Sequence, residues 1–226
     1  MSYSKLLERY SVSIGAFFLL NLPEGLLRRI FSEKNDFRPR PQPPSLFPGS
    51  PRAMEIMIGP PRVPIAEYLT ATRIEYIPDK FLLDISGPLE EVVEVAKRLP
   101  SFFTDLGYDL DKMVRYVEIN FPQQPIDVKE AARSLRSLVI FKGGEHLSKL
   151  VGTDFGVFSV SLSFPETPLT LDWLHLRVEP DVNSPDSRIF ISIIKRAEKL
   201  CEGVNFLTMI PRLLTAIKEL LEISHD

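Results

Sequence analysis

Trp173, His175 and Arg177 stand two residues apart in the run LDWLHLRVE. On a β-strand, side chains at i, i+2 and i+4 point the same way. An aromatic ring, an imidazole and a guanidinium on one sheet face can stack on bases and reach phosphates, as sheet-based readers of single-stranded nucleic acid do. Glu179 continues that face, and Arg73, Glu75 or Arg115 extend it if their strands are neighbours. Such modules use two aromatics at defined places, and this chain has a single Trp. An amphipathic strand with a solvated outer face accounts for the same spacing.

The rest of the polar chemistry is dispersed. Lys142-Gly143-Gly144 ahead of Glu145-His146 can offer backbone amides to an anion, but G-x-x-x-x-G-K-[ST] is not present. His146 has no H-E-x-x-H partner. It makes a histidine–carboxylate site with His175, Asp154 and Asp181 only if folding gathers them. There is no G-x-S-x-G, and Glu90-Glu91 suit a helix start better than acid–base work. His225, at the chain terminus, is given no role. Cys201, the one cysteine, excludes an intramolecular disulfide and a multi-cysteine zinc site, and its apolar surroundings predict a core position. The expectation is no catalytic set, no cofactor and no obligatory metal, with the balance against an enzyme.

Hydrophobic residues make up 44% of the 226, enough for a sizeable core, and the net charge of −3 gives no general attraction to nucleic acid or to anionic membranes. Three glutamines, five asparagines and twenty prolines form a composition that leans toward a thermophilic source. The apolar run 11–22 is too short to cross a bilayer as a helix and is followed at once by Pro23-Glu24. No membrane association and a cytoplasmic location are expected.

Positioning these residues calls for an α+β fold, mainly antiparallel sheet packed by helices. A short helix is expected over 2–8. Residues 11–22 alternate and read as a strand that ends fully buried; Pro23 then opens a helix through Phe31. Residues 33–53 hold six prolines, and 28–52 carry six basic residues against Glu33 and Asp36. Arg38 and Arg40 are the candidate contacts there, in a linker or loop of polyproline character with two P-x-x-P runs. Strands are expected at 55–58, 72–77 and 80–85. A helix capped near Ser86 runs to Pro100, which must kink or end it. A strand over 113–121, a helix opened by an Asp127/Glu130 capping box, and a short helix around 146–151 follow. Strands are expected over 155–164, with Phe158 and Leu162 on the buried face, and over 171–179. Residues 188–199 read as a strand by the spacing of Ile189, Ile191 and Ile193, although Ser184-Pro185 and Gly203 would also frame a helix there. A final amphipathic helix follows through Leu213, Leu214, Ile217, Leu220 and Leu221. The organisation is an N-terminal strand and helix (1–32), the proline-rich segment (33–53) and a main domain (54–226), with degenerate halves at 54–151 and 152–226.

The function this supports first is a non-enzymatic binding or assembly protein that works through protein–protein contacts, self-association included. The alternatives are a nucleic-acid-associated factor using 28–52 with Trp173, His175 and Arg177, and an enzyme built on His146, His175 and carboxylates.

Overall fold

The computed structural model describes residues 10–32, 34–40, 60–69, 71–138, 144–153, 157–163 and 172–223. The expected helix over 2–8, the expected strand at 55–58, Asp154 and His225 fall outside these residues. The fold is α+β, with six helices and nine strands in antiparallel arrangement among the described residues. Contacts divide the chain into two compact units, Met1–Ile119 with Arg196–Thr208, and Asn120–Lys195 with Met209–Asp226.

The first unit holds β1 (Ser11–Phe18), α1 (Glu24–Ser32), β2 (Phe37–Pro39), β3 (Val63–Tyr68), β4 (Thr72–Ile77), β5 (Leu82–Pro88), α2 (Leu89–Thr104) and α3 (Leu110–Met113). It also holds the first part of β6 (Val114–Asp127) and the first turns of α6 (Leu200–Ile223). Its strands run in the order β2-β3-β4-β5-β1-β6. Alternation does the sorting: Val12, Ile14, Ala16 and Phe18 of β1 are buried, as are Ile74 and Tyr76 of β4 and Leu83 and Ile85 of β5. Against this face lie Leu89, Val92, Val95, Ala96 and Leu99 of α2. Gly203 lets α6 approach closely; a Cβ there would come within 2.8 Å of Val117.

Several boundaries differ from the sequence reading. β1 stops at Phe18, and Leu19 and Leu20 are exposed rather than buried. β5 continues through Pro88, so Ser86 is a strand residue and not a helix cap; α2 starts without a side-chain cap. Pro100 sits inside α2, which continues to Thr104 because Phe102 and Phe103 are anchored in the core. β3 arises in a proline-rich stretch that reads as strand-breaking. Pro64 is accommodated at an irregularity in the β3–β4 register between Pro64 and Ala66.

The strand β2 is held by an aromatic cluster around a cation. The Arg98 guanidinium lies 5.3–5.8 Å from the ring centres of Phe37, Tyr68 and Phe102 and pairs with Asp36 at 3.2 Å. Burial, then a hydrogen bond to the Glu94 carboxylate, pushes the Tyr68 hydroxyl up to about 12. Arg28 of α1 clasps the same region: its Nη1 donates to the Arg40 carbonyl at 2.9 Å and its Nη2 to the Pro64 carbonyl at 3.0 Å, while Nε pairs with Glu24.

The second unit holds the rest of β6, α4 (Ala131–Leu138), α5 (Gly144–Val151), β7 (Val160–Ser163), β8 (Trp173–Pro180), β9 (Arg188–Ala197) and the remainder of α6, with strand order β6-β9-β8-β7. Ile189, Ile191 and Ile193 are fully buried in β9, so the strand favoured by their β-branched spacing forms, ending at Ala197 rather than at 199. β6 extends to Asp127, and the capping box does not form. The first amides of α4 are instead taken by the carbonyls of Pro185 and Asp186, with Glu130 at a positive φ of 50°. β7 is an edge strand. Val160 and Leu162 align with Val178 and Leu176, yet Leu162 is 54% exposed and Phe158 51%, so the face expected to be buried is open here.

Candidate functional site

Trp173, His175, Arg177 and Glu179 share the face of β8 opposite the buried Leu176 and Val178, as the period of two requires. His175 lies opposite Ser163 and Arg177 opposite Ser161 on β7. The Arg177 guanidinium is engaged by Glu179 at 2.5 Å, and Glu179 also accepts from Gln123 at 2.7 Å. Asp172 pairs with Lys195. The charges on this face are therefore largely matched within the unit.

Arg38 and Arg40 lie in the first unit, so the two candidate groups belong to different compact units. Arg38 is an exposed strand residue opposite Glu67. Arg40 pairs with Glu67 at 3.3 Å. Of the other basic residues of 28–52, Arg28 forms the clasp and Lys34 pairs with Asp105 at 2.7 Å over the Phe102 ring.

Of the histidine–carboxylate set, only His175 and Asp181 have described side chains. Asp181 is buried and committed to its own turn: its Oδ1 accepts the Asn183 amide at 2.9 Å, and Arg188 lies 3.6 Å away. His146 falls in α5, with its side chain outside the description. Among the described residues no three His, Cys, Asp or Glu side chains gather as a metal site. Cys201 is exposed, contrary to its expected core position, because Leu200, Gly203 and Val204 are the residues that turn inward on that part of α6.

Two features escaped the sequence reading. The first is the polar face of the first unit's sheet. Arg73 lies beside Ser86, Ser86 beside Ser13, and Glu75 beside Asp84, across β4, β5 and β1. Two facing carboxylates repel. Arg62 bridges them, at 3.0 Å from Glu75 and 3.9 Å from Asp84. Burial raises the Asp84 carboxyl above its usual value of 3.8; Arg62 opposes that rise, Glu75 adds to it, and hydroxyls of Ser13 and Ser86 moderate it. The sequence signal was present in TRIEYI and LLDISG, where Arg73, Glu75, Asp84 and Ser86 take the outward positions. The pairing register was not.

Because the folded pKa of Asp84 lies above the unfolded one, the native state holds more protons in the window that opens near pH 3.8. Stability therefore falls as pH rises through that window. Asp84→Asn keeps hydrogen-bonding capacity toward Ser13 and Ser86 and removes the titration. It is expected to raise Tm at neutral pH and to lose that advantage below the window, in thermal melts followed across pH.

The second feature is α6. It is 24 residues long, and its stretch Leu200–Glu222 is apolar and long enough to cross a membrane by length and composition, with 33% of its most apolar 18 residues buried. Leu207, Ile210, Leu214 and Leu221 face the core. A second apolar row, Met209, Leu213, Ala216 and Leu220, follows the 4-3-4 spacing of a coiled-coil seam. Met209 is 57% exposed, Leu220 56%, and Ala216 is exposed between them. Pro211 lies off this seam, and Thr215 donates to its carbonyl at 3.0 Å. The sequence reading placed one apolar stripe here; the helix starts thirteen residues before Leu213, and over that length the apolar arc is too wide for one stripe. No protein-family model matches the chain, and no curated protein matches it either.

Proposed function

We propose that the protein is a non-enzymatic binding or assembly protein that acts through protein–protein contacts, and that its first partner is a second copy of itself. The observation that carries this reading is the uncovered seam on α6. Exposed apolar rows at coiled-coil spacing are characteristic of helix–helix docking.

The flanking charges favour a second copy and select its orientation. Beside the seam, one rim is occupied by Ile210, which is buried in the protein's own core, and the half-buried Ile217. The other rim carries Arg212 and Glu219, both exposed and without an ion pair among the described residues. A parallel pair would set Arg212 against an isoleucine of the second copy. An antiparallel two-fold pair sets Met209 against Leu220 of the second copy and Leu213 against Ala216. In that same register Arg212 lies beside Glu219 of the second copy, once on each side of the axis.

The nucleic-acid reading has less support, since Arg40 and Arg177 are paired with carboxylates. A cytoplasmic location belongs to the proposal, and the exposed free thiol of Cys201 fits a reducing compartment. Light scattering across concentration tests the reading: a mass that rises from one chain toward two supports it. A strict monomer at every concentration removes its basis. Binding to liposomes in place of self-association would reassign the α6 seam to a lipid surface.

A further inference from the structure

A shallow, open pocket of about 360 Å³ lies at one end of the first unit's polar face. Its walls come from Tyr10, Ser11, Ala71, Arg73, Ser86, Gly87 and Pro88. The volume suits a compact small molecule. We infer that this pocket binds a small organic anion, with a carboxylate or phosphate group held by Arg73 and an apolar body against Tyr10 and Pro88.

The inference starts from the charges around Arg73. Each neighbouring carboxylate already has a partner. Glu67 pairs with Arg40 at 3.3 Å, and Glu75 with Arg62 at 3.0 Å. Asp84 has Arg62 nearby and the Ser13 and Ser86 hydroxyls, while Glu91 accepts from Thr72 at 2.7 Å. Among the described residues the Arg73 side chain makes no ion pair or hydrogen bond, although it is exposed and lines the pocket. A guanidinium left unmatched beside a concavity is a fork ready for a planar anion.

Shape and polarity agree with that class of ligand. Ala71 and Gly87 put no bulk into the pocket. Gly87 is held small by the fold itself, since a Cβ there would meet the Thr72 backbone at 2.8 Å. Ser86 spends its proton on Asp84. Ser11, at the start of β1, adds a hydroxyl that can donate to an anion. The Arg73 guanidinium, the Ser11 hydroxyl and the rings of Tyr10 and Pro88 recognise an amphipathic monoanion. They do not suit a polyanion, which would need more than one unmatched cation.

The test uses the full chain and amide NMR spectra, titrated separately with benzoate, phenyl phosphate, inorganic phosphate and neutral benzamide. The expected result is saturable binding of benzoate or phenyl phosphate, with shifts concentrated at Ser11, Ala71, Arg73, Ser86 and Gly87. The stronger of the two identifies the head group. Inorganic phosphate, lacking the apolar body, is expected to bind less tightly. Arg73→Gln should weaken binding at least ~10-fold at unchanged Tm, because the exposed side chain supports nothing in the fold, and Arg73→Lys should restore part of it. Absence of saturable shifts with both aromatic anions overturns the inference. So does equal binding by Arg73→Gln, or benzamide binding as tightly as the anions. Monomeric protein serves equally well, so failure of self-association leaves this test intact.

Discussion

Met209→Glu combined with Leu220→Glu is expected to abolish self-association while leaving the monomer folded. Both side chains are more than half exposed, so the monomer loses little on their replacement. In the antiparallel register each faces the other across the axis, so the double change puts like charges together in two apolar layers at once. A loss of at least ~100-fold in dimer affinity follows from hot-spot magnitudes. The register is tested more sharply by charge exchange. Arg212→Glu alone should weaken association, Glu219→Arg alone should do the same, and the two together should restore it. Sedimentation or light scattering reads all four variants. Equal dimerisation of the wild type and the Met209/Leu220 variant would place any self-association elsewhere, and failure of the double charge exchange to restore binding would reject the antiparallel arrangement.

Gly87→Val is expected to have the largest effect on folding. Any Cβ at this position would come within 2.5 Å of the Thr72 hydroxyl, 2.8 Å of the Thr72 Cα and 3.1 Å of the Ala71 carbonyl. Two of these three atoms belong to the backbone of the start of β4, so no rotamer change relieves them. Relief must come from parting β4 and β5, whose register pairs Arg73 with Ser86 immediately beside the clash. Overpacking of this kind costs about 1–3 kcal/mol, and more where backbone must move. Thr72 is also fully buried, with its hydroxyl donating to Glu91, so that bond is lost in the same movement. The expected outcome is a drop of roughly 6–12 °C in Tm or failure to accumulate as soluble protein. A melt within 2 °C of wild type would show that β4 and β5 can separate here without cost. Gly203→Ala is the informative contrast. The nearest atom to its Cβ is a side-chain methyl of Val117 at 2.8 Å, so its effect should be smaller.

Local pattern carried most of the fold. The isoleucines of β9, the alternation in β1 and β8 and the α2 stripe all show in the sequence because burial of one face imposes a period. β3 did not show, since its prolines argue against a strand and only an irregular register next to β4 admits Pro64. The exposure of Phe158 and Leu162 was equally hidden, because alternation tells which side a residue takes and not whether anything covers that side. Trp173, His175 and Arg177 were legible as one face. The Arg177–Glu179 pairing was not drawn from the sequence, although i, i+2 spacing on a strand allows it. The cluster of Arg62, Glu75 and Asp84 depends on the pairing of three segments that are distant in sequence, and the pocket at Arg73 depends on Gly87 being held against Thr72. Such juxtapositions are products of register, which no single segment encodes.

The Arg28 clasp acquires a mechanical meaning from its position. Arg40 and Arg62 mark the two ends of the chain that leaves beside β2 and returns beside β3, and β2 is only three residues long. A pull on the intervening chain would load β2 and β3 along their axes, from the adjacent strand ends where that chain is anchored. Arg28 ties the first rung, gripping the carbonyl at each end with one guanidinium. Behind it, Phe37 is wedged against Tyr68 and Phe102 under Arg98. A pull on the proline-rich chain would therefore meet a catch at its base before it reached the sheet.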